Sequence, residues 1–280
     1  MNSPTKQLVL LIFALLLAGA CTSCVDHSIP TTIAQPENKE PGKQPGSHAH
    51  SMPVMGTRQE MRVSVEEISG LCLNRDTTGF WAVGDAGDLC QVSFTGAVTR
   101  VLRTYLDLEG ITLDPVTGDL FVAVEGDQMV CRIAAPDYNT LDTCFFVQEA
   151  VERDFDNNGL EGIAFYKDSL LFVGSQEDAL IWIYKTDGTQ VKRVRLTGET
   201  PQIKEVAGLF YDAKKDWLWV TDSDAGKFFI FDAKEFDLLA SYDVPFIDNA
   251  EAICVDRAHN CVWIGSDEDS PKLYKFNFSF

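Results

Sequence analysis

Leu108-Glu-Gly-Ile-Thr-Leu-Asp-Pro115, Leu120-Phe-Val-Ala-Val-Glu125 and Met129-Val-Cys-Arg-Ile133 make one unit: a strand opened by a small residue, a turn, a second apolar strand ending in acid, then a third strand. The same unit returns as Glu67-Ile-Ser-Gly-Leu-Cys72 with Phe80-Trp-Ala-Val-Gly-Asp85, and as Leu160-Glu-Gly-Ile-Ala-Phe165 with Leu171-Phe-Val-Gly-Ser-Gln-Glu177. It returns again as Glu205-Val-Ala-Gly-Leu-Phe-Tyr211 with Trp217-Leu-Trp-Val-Thr-Asp222, and as Ala250-Glu-Ala-Ile-Cys-Val-Asp256 with Val262-Trp-Ile-Gly-Ser-Asp267. With Gly70, Gly110, Gly162, Gly208 and Ala252 aligned, the intervals are 40, 52, 46 and 44 residues. Short strands rich in Val, Ile, Phe and Trp, joined by turns such as Asp114-Pro-Val-Thr-Gly118, are antiparallel hairpin material. Repeated at this period, they predict an all-β, five-bladed β-propeller.

The last copy stops after its third strand, Lys272 to Asn277, and lacks an outer one. Gln59–Glu66 alternates like a strand but has no copy of its own. Because an unpaired sheet edge invites association, this N-terminal segment is expected to close the ring as the missing strand, and the propeller is expected to span 59–280.

Upstream, Lys6 precedes the apolar run Leu8–Ala18, and Gly19-Ala20-Cys21 follows it. This reads as a secretory signal over residues 1–21. It resembles a bacterial lipoprotein signal, with Cys21 the lipidated residue and Cys24 the alternative acceptor. Residues 22–58, with prolines at 30, 36, 41, 45 and 53, bury too little to fold and form a flexible tether. The expected location is therefore the cell envelope, with a lipid anchor in the membrane.

The chain carries 42 acidic and 23 basic residues. Such a surplus repels nucleic-acid phosphates and favours cations as partners. Of the four histidines, only His259 falls in the folded part, so an imidazole triad or a multi-histidine zinc site is not expected. No nucleophile elbow, Walker loop or dinucleotide-binding glycine motif occurs. Cys131 with Cys144, and Cys254 with Cys261, would each join neighbouring strands of one blade as disulfides, with buried free thiols as the alternative.

Two sets of acids recur at equivalent places. Glu109, Glu161 and Glu251 directly precede the small residue of their copies, and Glu67 and Glu205 stand three residues before it. First strands line a propeller axis, so these are expected at one mouth of the channel. Asp85, Glu125, Glu177, Asp222 and Asp267 end or follow the second strands and are expected near the opposite end. Crowded carboxylates repel by roughly 2–3 kcal/mol per pair at about 6–8 Å, so convergence calls for a cation, shared protons or side chains turned to water. Hard oxygen donors favour calcium or magnesium. Asp154 and Asp156 imitate the start of a calcium loop, but Phe165 occupies the position of its bidentate glutamate, which leaves them as rim ligands only.

The openings Glu67-Ile-Ser-Gly-Leu71, Asp107-Leu-Glu-Gly-Ile111, Asn158-Gly-Leu-Glu-Gly-Ile163, Val206–Asp212 and Ala250–Asp256 resemble the successive blade motifs of the SdiA-regulated, YjiK-like propellers over residues 60–280. The resemblance implies a five-bladed, envelope-associated propeller likened to calcium-binding and phytase-like propellers, with Glu109, Glu161 and Glu251 as the motif glutamates. Ala252 in place of the motif glycine, and Ala207 where other blades carry glutamate, depart from it. The function expected is an anchored binding module that holds a divalent cation, calcium, and presents a surface to a small molecule or protein. A calcium-dependent phosphoesterase is the second reading and a metal-free interaction platform the third.

Overall fold

The computed structural model describes residues 51–153, 159–196, 202–268 and 270–280. Five four-stranded antiparallel sheets follow one another around a ring. The chain enters through β1 (Val54–Arg62). Blade 1 is β2 (Ile68–Leu73), β3 (Gly79–Gly84), β4 (Asp88–Ser93) and β5 (Val98–Arg103). Blade 2 is β6 (Leu108–Leu113), β7 (Leu120–Val124), β8 (Met129–Ile133) and β9 (Leu141–Phe146), followed by a helical turn, α1 (Gln148–Arg153). Blade 3 is β10 (Leu160–Tyr166), β11 (Leu170–Ser175), β12 (Leu180–Lys185) and β13 (Gln190–Arg195). Blade 4 is β14 (Gly208–Asp212), β15 (Trp217–Asp222), β16 (Lys227–Asp232) and β17 (Leu238–Asp243). Blade 5 is β18 (Ala250–Asp256), β19 (Cys261–Ser266) and β20 (Lys272–Ser279), and β1 pairs with β20 as its outer strand.

The closing strand does come from the N-terminus, but it is Val54–Arg62 rather than 59–66. Because β20 runs on to Ser279, it offers partners as far back as Val54. Residues 54–58 therefore belong to the propeller rather than to the tether. Beyond Arg62 the alternation continues in the connection, where Val63 and Val65 are buried against blades 5 and 1 and lead the chain inward. Cys21, Cys24 and the rest of the expected signal lie outside the described residues.

Each inner sheet face meets the next blade, which explains why the middle strands read as unbroken apolar runs rather than alternating ones. All six residues of β15 are buried, and so are all five of β7. The apolar core accordingly falls into five clusters, one per blade junction. Phe172, Phe229 and Phe231 fill the junction of blades 3 and 4, and Trp219, Phe228 and Phe276 that of blades 4 and 5.

Around the axis the junctions are tighter than side chains allow. A Cβ on Gly70 would stand 2.5 Å from the Glu109 carbonyl oxygen, one on Gly110 2.3 Å from that of Glu161, and one on Gly208 2.0 Å from that of Glu251. The small residue of each repeat is thus where one inner strand touches the backbone of the next. Ala252, at the seam with blade 1, is the one place where the ring admits a methyl. The channel left at the axis is only about 10 Å³, lined by Ser69, the four glycines and apolar residues such as Leu71 and Ile111.

Cys131 and Cys144 are bonded across β8 and β9, where they are direct cross-strand partners with Cα atoms 4.1 Å apart. The pair Cys254 and Cys261 is a correction: both are free and buried. Their partners across the β18–β19 ladder are Trp263 and Asp256, so the two thiols sit on a diagonal that a disulfide does not span. Burial pushes the Cys90 and Cys261 thiols up to about 11, which makes them packing groups rather than nucleophiles.

Gly110→Ala forces backbone apart at the axis and is expected to destabilise the domain by about 1–3 kcal/mol, read as a lower urea midpoint. Gly126→Ala, where nothing lies within 4 Å of the added methyl, is the control and leaves the midpoint unchanged. Equal midpoints for the two variants would show that the inner strands do not bear on one another as described.

Candidate metal-binding mouth

The start of each inner strand is laid beside the end of the second strand by the hairpin register: Ile68 pairs with Gly84, Leu108 with Val124, Leu160 with Ser175, and Ala250 with Ser266. Both recurring sets of acids therefore open on one face of the ring. The expectation that they occupy opposite ends is corrected on this ground, since an antiparallel hairpin returns its second strand to the level where the first began.

Acids from all five blades or the connections into them act on one another there, with Glu67 and Glu205 at the margin. Carboxylate oxygens of Glu109, Glu125 and Glu161 lie within 4.8 Å of one another, and so do those of Asp85, Asp107 and Glu109. Glu109, Glu125 and Glu161 are 5%, 6% and 4% exposed. At this separation, with an effective dielectric near 20, each ionised pair repels by about 3.5 kcal/mol. Burial pushes Glu109 and Glu161 well above the ordinary carboxylate range; Asp85 and Asp107 raise Glu109 further, and Glu109 and Glu251 raise Glu161. Burial, aided by Asp107 and Asp85, raises Glu125 to about 7, against the pull of the Gly159 N–H that donates to its Oε1 at 2.9 Å. Glu251, raised by burial and then by Asp267 and Asp85, reaches about 9. Asp85 is raised by burial to about 6, although Ser69 Oγ donates to it.

The remaining predicted acids do other work. Asp222 accepts the backbone N–H groups of Lys204 and Ala225, both at 2.7 Å, and Glu205 accepts that of Asp224 at 2.8 Å. Blade 4 thus spends its acids on its own loops, next to Ala207, which has no carboxylate to give. Glu177 is exposed in the turn after β11, 3.8 Å from Arg153, and joins neither group. Glu67 is exposed at the edge, where its charge adds to the rise of Asp85. Asp154 and Asp156 lie outside the described residues. Asp107, which is not among the expected site acids, also belongs to the mouth; it stands three residues before Gly110, the place that Glu67 and Glu205 hold in their own copies.

Beside the cluster, between blades 5 and 1, an acidic cleft of about 660 Å³ is lined by Glu66, Glu67, Asp248, Asn249, Asp267 and Glu268. Asp267 links the two, since its charge acts on both Asp85 and Glu251. Among the described residues, several cations of this face are held in ion pairs: Arg153 and Arg195 with Asp178, Lys204 with Asp224, and Lys272 with Glu268. His259 sits in the β18–β19 turn on the other face, 2.7 Å from Asp256.

This donor set fits a hard divalent cation. All of its donors are oxygens, several are buried together, and among the described residues no basic side chain balances their charge. A cation would substitute for the protons that the raised pKa values otherwise require.

The pH dependence follows from those directions. A carboxyl with a raised folded pKa binds its proton more tightly in the native state, so its contribution to stability is complete below the ordinary value of 4.5 and is lost as pH rises through about 7 for Glu125 and about 9 for Glu251. With chelator present, the melting temperature is expected to fall between pH 5 and pH 9, and Glu251→Gln to fall less steeply over the upper half of that range. Parallel curves for the two proteins would mean that Glu251 is not protonated by its neighbours.

A family model described as "Phytase-like: Esterase-like activity of phytase" matches residues 63–227. Among solved structures, the chain superposes on glutaminyl cyclase of Myxococcus xanthus with a TM-score of 0.61 at 12% identity, covering 81% of this chain and 96% of that one. A chain of a nidogen/laminin complex gives 0.53 at 16% identity, with 76% and 85% covered. XC5397 of Xanthomonas campestris, a gluconolactonase, gives 0.51 at 13% identity, with 78% and 88% covered. No curated protein sequence matches. At such identities the structural likenesses speak for the propeller fold alone, whereas the family match extends over more than half of the sequence: the chain belongs to the phytase-like family.

Proposed function

We propose that this propeller binds a divalent cation, calcium foremost, in its acidic mouth and through it engages an anionic ester, with phosphate monoesters as the class the family match suggests. The buried triad Glu109, Glu125 and Glu161, with oxygens within 4.8 Å, carries this reading. The side chains themselves explain why a cation is needed for such a ligand: no cation acts on the clustered carboxylates among the described residues, so a bare phosphate would meet uncompensated negative charge. A closed axis means that the ligand approaches across the mouth, where the cleft between blades 5 and 1 offers space.

Hydrolysis of the bound ester is the second reading, favoured by the family's description. A bound divalent cation would supply Lewis acidity and lower the pKa of a coordinated water. Glu109, Glu125 and Glu161 would hold it, and the burial of the triad would keep bulk water from competing. The one histidine among the described residues, His259, lies on the opposite face, so those residues offer no imidazole base at this site.

Calcium at a hundredfold excess over Kd is expected to stabilise the native state by about 2.7 kcal/mol, a rise of about 5–10 °C in melting temperature for a domain of this size. Glu109→Gln combined with Glu161→Gln removes the rise while the protein stays folded. No shift of the wild type at millimolar calcium would end the cation reading. Release of phosphate from a generic monoester, abolished by chelator, separates hydrolysis from binding alone.

The N-terminal reading is likewise a proposal: an exported chain tethered to an envelope membrane through lipid on Cys21. Cys21→Ser is expected to move the protein from the membrane fraction to the soluble fraction, and Cys24→Ser to leave it in place. The opposite pattern would assign lipidation to Cys24.

A further inference from the structure

Gln128 is a buried residue of the mouth whose polar side chain the fold uses only by half. It lies in the turn between β7 and β8 with φ of 51°, in the left-handed region that a residue with a side chain occupies at a cost. Its side chain is 8% exposed. The amide nitrogen, Nε2, donates to the Glu125 carbonyl oxygen at 2.7 Å. That bond decides the orientation of the amide, because the reverse would press two acceptors together.

Oε1 is then left buried with no hydrogen-bond partner among the described residues. The amide stands over Gly159, where an added Cβ would be 2.0 Å from Nε2 and 2.6 Å from Oε1. Gly159 is also the residue whose N–H is committed to the Glu125 carboxylate. A buried carbonyl oxygen without a donor costs about 1–3 kcal/mol, and the Glu125 carboxylate borders the same glycine. A positive ion between these two acceptors would satisfy both. A carboxamide oxygen is, moreover, the hard neutral ligand that calcium sites combine with carboxylates.

Building on the cation-binding reading above, we propose that Gln128 Oε1 is a direct ligand of the ion held by Glu109, Glu125 and Glu161. The ion therefore sits off the propeller axis, between blades 2 and 3, and not at the centre of a five-fold ring. The competing group of Asp85, Asp107 and Glu109 has a proton donor already, in the hydroxyl of Ser69. The neutral oxygen completes a coordination shell without adding to a charge that three carboxylates already make unfavourable.

Calcium titration of the purified full-length chain by calorimetry, with melting temperature in chelator as the second readout, tests this assignment. Gln128→Met keeps the length of the side chain but removes the oxygen along with the Nε2 donor, while the backbone N–H of Gln128 still donates to the Glu125 carbonyl at 2.9 Å: calcium affinity is expected to fall about tenfold or more, with no matching loss of melting temperature in chelator. Gln128→Glu keeps an oxygen and adds charge: it is expected to bind calcium more tightly than the wild type and to melt lower in chelator. Wild-type affinity in the Met variant overturns the assignment and leaves Gln128 a turn residue over a trapped water. Should the Met variant fail to fold, unchanged or weakened binding by the Glu variant overturns it instead. Absence of calcium binding by the wild type itself overturns the parent reading along with this one, and so distinguishes the two failures.

Discussion

The approach of inner-strand backbones at Gly70, Gly110, Gly162, Gly208 and Ala252 governs the rest of the molecule. Carbonyl oxygens of one blade lie where side chains of the previous blade would be, so the ring closes to a channel of about 10 Å³. A wider ring would hold the strand openings apart and leave the acids in separate solvated loops. The same residues that make the propeller compact thus crowd the carboxylates beside them. Glu109 and Glu161 each precede one of these glycines, so the tight backbone junction and the buried charge are adjacent links of one strand.

That crowding is stable only because the apolar work is done elsewhere. The blade junctions bury aromatic residues such as Trp182, Trp219, Phe172 and Phe229 almost completely. At about 25 cal/mol per Å² of apolar surface, junctions of this kind can tolerate a few carboxyls held above their ordinary pKa. The distribution of strain is uneven around the ring. Blade 4 satisfies Glu205 and Asp222 with backbone N–H groups, while blades 2 and 3 leave Glu109, Glu125 and Glu161 facing one another. The five-fold repeat supplies the scaffold, and its departures from symmetry select where charge accumulates.

The architecture was legible in the sequence because periodicity, small residues and strand composition all pointed to one arrangement. Even the ring closure could be anticipated from a missing outer strand, although its register was displaced by several residues; how far β20 would extend is a property of the finished sheet. Which acids recur was equally plain. Which of them meet was not, since that depends on hairpin registers: Glu125 and Asp85 return to the level of Glu109 because β7 and β3 run back along their neighbours. Asp107 does stand at a recurring place, three residues before the small residue like Glu67 and Glu205, and Ser69 occupies the place of the motif glutamates; only the contact each makes was hidden. Gln128 left no repeated signal, and a motif built from recurrence is blind to a residue that occurs once. The Cys254 and Cys261 pairing failed for a related reason, a diagonal and a direct cross-strand pair being only a residue or two apart in spacing.

The closed axis constrains what can be done at the mouth. Below the carboxylates lie Ser69, the glycines and residues such as Leu71 and Ile111, so neither ion nor ligand has a path through the ring. Everything must enter from the acidic side, past Glu66, Glu67 and Asp267. A cation is drawn inward along that route by the same field that repels an anion. On the function proposed above, electrostatics would impose the order of events: positive charge would have to be in place before a negatively charged ester came within contact distance, because several nearby arginines and lysines are already engaged with Asp178, Asp224 and Glu268. Affinity for an anionic ligand would then be coupled to the concentration of free cation, and the coupling would lie in the burial of Glu109 and Glu161 rather than in any moving part.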